Sequence, residues 1–410
     1  MSIPAASVPL SQTDPVAVEP GLGRQVLVFV LLLACEFLYG WAWNTVDVLR
    51  PYIRESLGLS LIEAGSAYSA QGAGALTGAI VLGQIADRIG RRRVLSGLVF
   101  GYGALLLAGM IVASYPQLLL QRFLLGFFAG GSFPVVVGIY INLFQPTLRG
   151  RLAGTLNAAF SLSIVMLGVA MGLVAPGNWK HLLLIGGVPP LALALLVLAA
   201  IPTGSRMDRG TRGGVSRLPV SELFAPGLRR QTLMLATMAG LNFFGYAAFS
   251  GWLTTYLTGE RGFSAQTAGA LVAWQFSGNI AGGFFWGWAA DRFGRRFNAI
   301  GFLIASGAIA VYLLGPADPT VLKLAGLIYG AALCSSVIWG PWMAELYPPH
   351  LQSTAASIFN WGRVISFFAP IITAQIAQSF SLATAMLLGA ASFTTAAVIW
   401  LMQRETLQRS

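Results

Sequence analysis

The 410-residue sequence has few charged side chains: Asp, Glu, Lys and Arg make up 10% of it, whereas hydrophobic residues make up 56%. A soluble domain usually carries about 25% charged residues. So few charges cannot cover a water-facing surface, which excludes a soluble enzyme and a soluble nucleic-acid-binding protein. The mean hydropathy of +0.72 agrees with this conclusion.

Cysteine and histidine are nearly absent, with two residues of each. Cys35 and Cys334 both lie in apolar runs, so the sequence predicts neither a disulfide framework nor a metal site. It also lacks a phosphate-binding loop and any nucleophile–His–Asp set. We therefore expect no enzymatic activity, no metal and no cofactor, and an ion gradient, namely protons, as the energy source.

Apolar runs of about 20 residues recur from Arg24 onward, and each is long enough for one helical crossing of a bilayer. They predict an all-α membrane protein with twelve transmembrane helices. The predicted spans are 25–49, 62–85, 94–113, 116–141, 152–175, 182–201, 232–257, 266–290, 297–315, 320–344, 354–376 and 382–402.

The distribution of Arg and Lys predicts the orientation in the membrane. Of the 25 basic residues, 18 lie in the two tails or in the loops that follow even-numbered spans, and 5 lie in the other loops. Because cytoplasmic loops carry the excess of Arg and Lys, both termini are predicted to be cytoplasmic. The expected location is the plasma membrane, which is the inner membrane of a bacterium, and the net charge of +11 needs no nucleic acid as a partner.

The longest connection between spans divides the chain into two sets of six. We predict a disordered tail at 1–23, a six-helix bundle at 24–201, a cytoplasmic linker at 202–231, a second six-helix bundle at 232–402 and a tail at 403–410. The linker is rich in Arg, Gly and Pro, with a short amphipathic helix expected near Val220–Phe224.

A ten-residue segment occurs twice. GQIADRIGRR begins at Gly83 and GWAADRFGRR begins at Gly287, with seven identical positions at an offset of 204 residues. Each copy follows the second span of its half, which indicates duplication of a six-span unit. The segment resembles the G-x-x-x-D-R-x-G-R-R signature of the major facilitator superfamily, which implies two pseudo-symmetric bundles around a cavity that opens alternately to each side. The predicted cytoplasmic gate comprises Gly83, Asp87, Arg88, Arg91, Asp291, Arg292, Arg295 and Glu345.

Further segments are similar to one branch of that superfamily. The run from Glu345 to Pro348, followed by the Asn-Trp-Gly-Arg run that ends at Arg363, resembles sialic-acid, aromatic-acid and metabolite proton symporters and organic-ion transporters. Aromatic-acid symporters carry two carboxylates in helix 1, where this chain has Tyr39-Gly40-Trp41-Ala42, so their substrate and proton site do not carry over directly. The helix 5 glycine–proline motif of drug–proton antiporters is also absent, which favours uptake over efflux.

Ionisable residues inside predicted spans are costly and mark functional sites. Glu36 and Asp47 share a face of helix 1 and are the candidates for proton coupling, although Asp47 can alternatively pair with Arg50 or Arg54 at the mouth. Arg122 is a candidate for both proton coupling and substrate binding, as the superfamily's helix 4 arginine implies. Arg363 lies near the midplane and is the strongest candidate for holding a carboxylate.

Polar and aromatic residues at helical spacing add to the predicted cavity. Each alternatively serves as interhelical contact or interfacial anchor. Together they suit a carboxylate with a ring or a sizeable apolar body. The candidates for substrate binding, besides Arg363 and Arg122, are Asn360, Trp361, Tyr246, Asn242, Gln275, Asn279, Trp274, Trp339, Tyr39 and Trp43.

These observations predict a monomeric secondary transporter that takes up a small organic anion with protons by alternating access. One alternative is proton-driven efflux of amphipathic or cationic drugs. The other is a transporter-like receptor that signals without transport.

Overall fold

The computed structural model describes residues 21–144, 146–174, 178–201, 219–348, 351, 355, 358 and 362–407. Over these residues the chain is helical almost throughout and contains no β-strand. The fold is therefore all-α, as the apolar runs predict. Residues 1–20 of the tail predicted at 1–23 lie outside the described residues, whereas α1 already begins at Leu22. Most of the linker also lies outside them, and the short helix expected near Val220–Phe224 is a 3-10 helix at Pro219–Phe224.

In the N-terminal half, the α-helices are α1 (Leu22–Val48), α2 (Arg50–Leu57), α3 (Leu61–Ile89), α4 (Arg91–Ala108), α5 (Tyr115–Gly130), α6 (Ser132–Leu143), α7 (Pro146–Val174) and α8 (His181–Ala200). In the C-terminal half, they are α9 (Arg229–Phe249), α10 (Leu253–Gly259), α11 (Ala265–Phe293), α12 (Ala299–Leu314), α13 (Pro319–Leu333), α14 (Trp339–Glu345), α15 (Arg363–Ser366), α16 (Ala369–Ser379) and α17 (Leu382–Leu401).

Nine helical segments of the described chain are long and apolar enough to cross a membrane. Two further predicted spans, 62–85 and 266–290, fall on α3 and α11, which are 29 residues each and richer in Gly and polar residues. The predicted span 354–376 lies partly outside the described residues. The total of twelve crossings therefore stays a prediction.

The internal repeat is visible in how the helices pack. A side chain at Gly126 of α5 would overlap the backbone of α3 at Gln71, and one at Gly330 of α13 would overlap the backbone of α11 at Gln275. The two glycines are 204 residues apart, as are the two glutamines. Small residues let helix backbones approach closely in a membrane. In each half, a glycine at the equivalent position allows the same close contact between two helices.

Several predicted spans are interrupted by short 3-10 segments. The span 232–257 breaks at Ser250–Trp252, between α9 and α10, and the span 320–344 breaks at Cys334–Ile338. A Ser–Gly pair, here Ser250–Gly251, is a common cause of a helix kink. Gly251 lies in this break, and its carbonyl becomes part of the site described below.

The two halves contact each other at the end of the molecule that carries residues 49–60 and 250–264, which we name the closed face. There the Thr254 hydroxyl donates to the Asp47 carbonyl at 2.8 Å, and the Ser69 hydroxyl donates to the Phe367 carbonyl. A side chain at Gly72 would overlap the Phe367 ring. The predicted orientation places the closed face outside the cell.

Candidate functional site

Arg363 is the first residue of α15, and its side chain is exposed. Its guanidinium carbon lies 5.3 Å from the centre of the Phe243 ring, the geometry of a cation–π contact. Across the boundary between the halves, it hydrogen bonds the Tyr39 hydroxyl and interacts electrostatically with Glu36. An exposed guanidinium between two aromatic rings is well placed to bind an incoming anion.

Glu36 faces this arginine from α1 and is 2% exposed. Its Oε1 atom is buried and has no hydrogen-bond partner among the described residues. A buried carboxylate needs compensating donors or a cation. Arg363 is a cation that interacts electrostatically with Glu36. The charge on each of these two side chains therefore affects the other.

Aromatic rings form a wall beside Arg363. The Tyr39 ring lies 5.5 Å from the Phe160 ring and 6.0 Å from the Trp43 ring, and Trp43 meets Tyr68 edge-on at 6.3 Å between centroids. Three of these rings come from α1 and α3, so packing within the N-terminal half fixes their positions. Such a wall favours ligands that carry a flat or apolar body.

A second charged group lies at the closed face. Asp47 Oδ1 accepts from Arg50 Nη2 at 2.5 Å, and both side chains are almost fully buried. Arg50 also donates to the Gly251 carbonyl of the opposite half and stacks 4.4 Å from the Trp252 ring centre. Sequence reasoning left pairing of Asp47 with Arg50 open as an alternative, and the structure contains this pair.

Arg122 is 2% exposed in α5 and donates from Nη1 to the Thr45 hydroxyl at 2.9 Å. It interacts electrostatically with Asp47. Among the described residues it forms no ion pair with a carboxylate. The side chain is therefore a buried cation whose nearest fixed partner is a neutral hydroxyl.

The polar candidates of the C-terminal half mostly contact other helices. Gln275 donates to the Ser250 hydroxyl at 2.9 Å, and Asn279 accepts from Ser161 of the opposite half at 2.9 Å. Asn242 is buried, and its Oδ1 has no partner among the described residues. Tyr246 lines a small cavity together with Asp47.

Within the described part of the chain, two tryptophan candidates show no contact with this group, and two further candidates lie outside it. Trp339 is fully buried in the C-terminal half, where its ring lies 5.2 Å from Phe302 and 4.9 Å from Trp400. Trp274 is 43% exposed. Asn360 and Trp361 lie outside the described residues. Helical spacing alone cannot show whether a tryptophan faces a cavity or another helix.

The second copy of the repeated segment builds part of the predicted gate. Arg295 donates to Asp291 at 2.6 Å and to Glu345 at 3.3 Å, all within the C-terminal half. Arg292 is exposed beside them. Gly294 has φ 109° and its repeat counterpart Gly90 has φ 97°, a region that L side chains rarely adopt. The backbone conformation therefore explains why both copies carry Gly at this position.

The first copy is arranged differently. Arg91 donates from Nη1 to the Gly138 carbonyl at 2.6 Å, whereas Arg88 is exposed. A side chain at Gly83 would meet no atom within 4 Å. The side chain of Asp87 lies outside the described residues.

Two contacts of these networks were missed in the sequence analysis. Arg50 was considered there only as a partner of Asp47, although Arg50 also reaches the opposite half. Glu405, in the C-terminal tail, accepts from the backbone N–H groups of Arg295 and Arg296 at 2.9 and 3.0 Å. Partial burial alone would raise the pKa of Glu405, but backbone donors outweigh burial and lower it. An acid six residues from a chain end gave no signal of this contact.

The comparisons with known proteins agree with this architecture. The family model described as Major Facilitator Superfamily matches residues 32–273 and 235–410. The 3-(3-hydroxy-phenyl)propionate transporter of Escherichia coli (strain K12) is 30% identical over 310 residues, 75% of each chain, and the 4-hydroxybenzoate transporter PcaK of Pseudomonas putida is 25% identical over 421 residues, 93% of each.

Among solved structures, the nucleoside transporter NupG superposes with a TM-score of 0.74 at 14% identity, covering 91% of this chain and 98% of that one. This likeness concerns the fold alone. The family match covers most of the chain and includes both copies of the repeated segment. The chain therefore belongs to the Major Facilitator Superfamily and is a multi-pass membrane transporter rather than an enzyme.

Proposed function

We propose that the protein imports a small organic acid, with an aromatic or similarly flat body, together with protons. The observation that carries this proposal is the position of Arg363: an exposed guanidinium between the two halves, beside a wall of aromatic rings and next to a buried carboxyl group. Planar guanidinium groups match carboxylates in geometry and charge. The named relatives support the same class, since they are transporters of hydroxylated aromatic acids.

Coupling to protons would arise because two carboxylates share one arginine. Glu36 and the substrate carboxylate would both use the charge of Arg363. When the substrate occupies Arg363, Glu36 loses its compensation and a proton takes over that role. Release of the substrate to the other side would restore the electrostatic interaction between Arg363 and Glu36 and free the proton. Proton and substrate then favour the same state, as symport requires.

The two faces of the protein would open in turn. In the structure, the closed face is held by Arg50, Thr254 and Ser69 across the halves. Separation at this face exposes the cavity outward, whereas closure there commits the substrate to the opposite side. The predicted orientation in a bacterial inner membrane makes this cycle one of uptake. Efflux of cationic drugs is less compatible with a site whose exposed charge is an arginine.

Purified protein in liposomes tests the proposal. An inward proton gradient should drive accumulation of labelled 4-hydroxybenzoate, and a pH dye inside the liposomes should report acidification that depends on the substrate. The cation ethidium, in the same liposomes, serves as the probe for the alternative. Transport of ethidium without transport of any aromatic acid would overturn the proposal in favour of efflux.

A further inference from the structure

A small cavity lies inside the N-terminal half, next to Arg122. Its volume is about 10 Å³, which is room for the centre of one water molecule. Its lining includes Ser56, which is exposed. It also includes Gln121 and Arg122, which are 6% and 2% exposed. The same small cavity is therefore lined by a surface residue and by two buried polar side chains.

These two side chains carry complementary atoms without partners. Arg122 Nε is a buried donor and Gln121 Oε1 is a buried acceptor, and neither has a hydrogen-bond partner among the described residues. Gln121 is held in this orientation because its Nε2 donates to the Leu105 carbonyl at 2.7 Å. Buried polar groups in proteins are nearly always satisfied, by protein or by ordered water.

The chemistry of the pair selects the ligand. A halide could accept from Arg122 Nε, but it has no proton to give to Gln121 Oε1. A water molecule can accept from the arginine and donate to the glutamine at the same time. The cavity is also apolar elsewhere, with Ile53, Leu118 and Leu183 in its wall, which does not suit a larger anion.

The position of this site matters for the charges at the closed face. Asp47 is surrounded by Arg50 on the turn after its own helix, Arg122 from α5, Tyr68 from α3 and Tyr246 from α9. Arg50 uses Asp47 as its ion-pair partner and holds the opposite half at the same time. If Arg122 needed Asp47 as well, the two arginines would compete and the contact with Gly251 would weaken.

We propose that a resident water molecule bridges Gln121 Oε1 and Arg122 Nε, and that Gln121 thereby acts as a positioning residue for Arg122. The water satisfies the guanidinium from the cavity side while Thr45 satisfies it from the other side. Arg122 then stays charged without drawing Asp47 away from Arg50, and the closed face stays closed. The water site itself is independent of the substrate that we propose above.

Two substitutions separate the acceptor of Gln121 from its donor. Gln121→Met removes both, whereas Gln121→Glu keeps an acceptor oxygen toward Arg122 and loses the donor to Leu105. Gln117→Leu, one turn away on the exposed side of α5, is the matched control, because it removes an exposed hydrogen bond from the Ala113 N–H rather than a buried one. We expect Gln121→Met to lower the melting temperature by about 3 °C or more, since a buried charged donor is left unsatisfied. Gln121→Glu and Gln117→Leu should melt within about 1 °C of wild type or above it.

Maleimide labelling measures opening of the closed face, which a change in stability alone would not alter. Thr255 is 5% exposed next to the closed face. With Thr255→Cys as reporter, maleimide labelling should rise about tenfold in Gln121→Met and stay unchanged in Gln121→Glu and Gln117→Leu. An experimental map that resolves ordered waters should show one within hydrogen-bond distance of both atoms. The proposal is overturned if that map shows no water there, or if the Met and Glu variants lose stability and gain labelling equally, because the bond to Leu105 would then explain both.

Discussion

Arg50 of the N-terminal half donates a hydrogen bond to the Gly251 carbonyl of the C-terminal half while it forms an ion pair with Asp47 of its own half. The accepting carbonyl belongs to the 3-10 segment Ser250–Trp252, which separates α9 from α10. One guanidinium therefore connects a helix break, a buried carboxylate and the contact between the halves.

We predict that Arg50→Met opens the closed face. The substitution removes the contact with Gly251 and leaves Asp47 without its ion-pair partner, and breaking a buried pair costs about 3–5 kcal/mol. Maleimide labelling of Thr255→Cys should increase strongly. Arg54→Met is the control, because Arg54 lies on the same short helix and, within the described part of the chain, donates to the Leu59 carbonyl at 3.0 Å and not to the opposite half. Equal labelling in wild type and Arg50→Met would show that Arg50 does not hold the face closed.

We predict that Gly72→Ala also favours the open arrangement. Its methyl group would overlap the Phe367 ring across the halves, and overpacking of this kind costs about 1–3 kcal/mol. Separation of the halves relieves the overlap, so labelling at the closed face should rise without loss of folded protein. Gly97→Ala on α4 lies outside the predicted gate, meets no atom within 4 Å and is the control. A closed face that labels as wild type does would contradict this account of the Gly72–Phe367 contact.

We predict that Asp291→Asn impairs transport more than stability. The Asp291 side chain is 76% exposed in its pair with Arg295, and exposed ion pairs contribute only about 0–1 kcal/mol. The melting temperature should therefore change by less than about 3 °C. The rate of uptake should fall clearly at equal amounts of protein in the membrane, since the network of Arg295 and Glu345 is altered. Unchanged transport would remove the gate role from this residue; Asp87→Asn tests the first copy in the same way.

We predict that Glu36→Gln separates substrate exchange from proton movement. Glutamine resembles the protonated acid in shape and cannot release a proton. Exchange of labelled for unlabelled 4-hydroxybenzoate across the membrane should continue, whereas accumulation driven by a proton gradient should stop. If the variant still acidifies the liposome interior in response to substrate, Glu36 is not the proton carrier and Asp47 is the next candidate.

The sequence alone was sufficient to predict the class of protein, the internal repeat and the charged residues that lie inside the predicted spans. The 204-residue offset even relates Gly126 to Gly330 and Gly90 to Gly294, pairs with the same packing or backbone conformation. These features are local or periodic, and periodicity is directly visible in a sequence.

Contacts across the halves could not be predicted, because they depend on how two separate bundles dock. Nothing in the spacing of Arg363 and Tyr39 shows that they meet, and the helix break that presents the Gly251 carbonyl is a tertiary consequence. Trp339 shows the opposite case: its residue type and position made it a candidate for the cavity, yet packing against Trp400 buries it completely. Residue type and helical face select candidates, and docking decides among them.

The most direct test concerns Arg363 as the anion site. Binding of 4-hydroxybenzoate and of its uncharged methyl ester is measured, by calorimetry, to wild type and to Arg363→Lys. Lysine keeps the charge but not the planar fork. Loss of one charge-assisted contact costs about 1.5–3 kcal/mol, so the acid should bind about 10- to 150-fold more weakly to the variant. The ester should bind both proteins equally. If the acid binds the variant as tightly as wild type, or if acid and ester weaken together, then Arg363 only ties α15 to Tyr39 and Phe243, and the account of anion binding is contradicted.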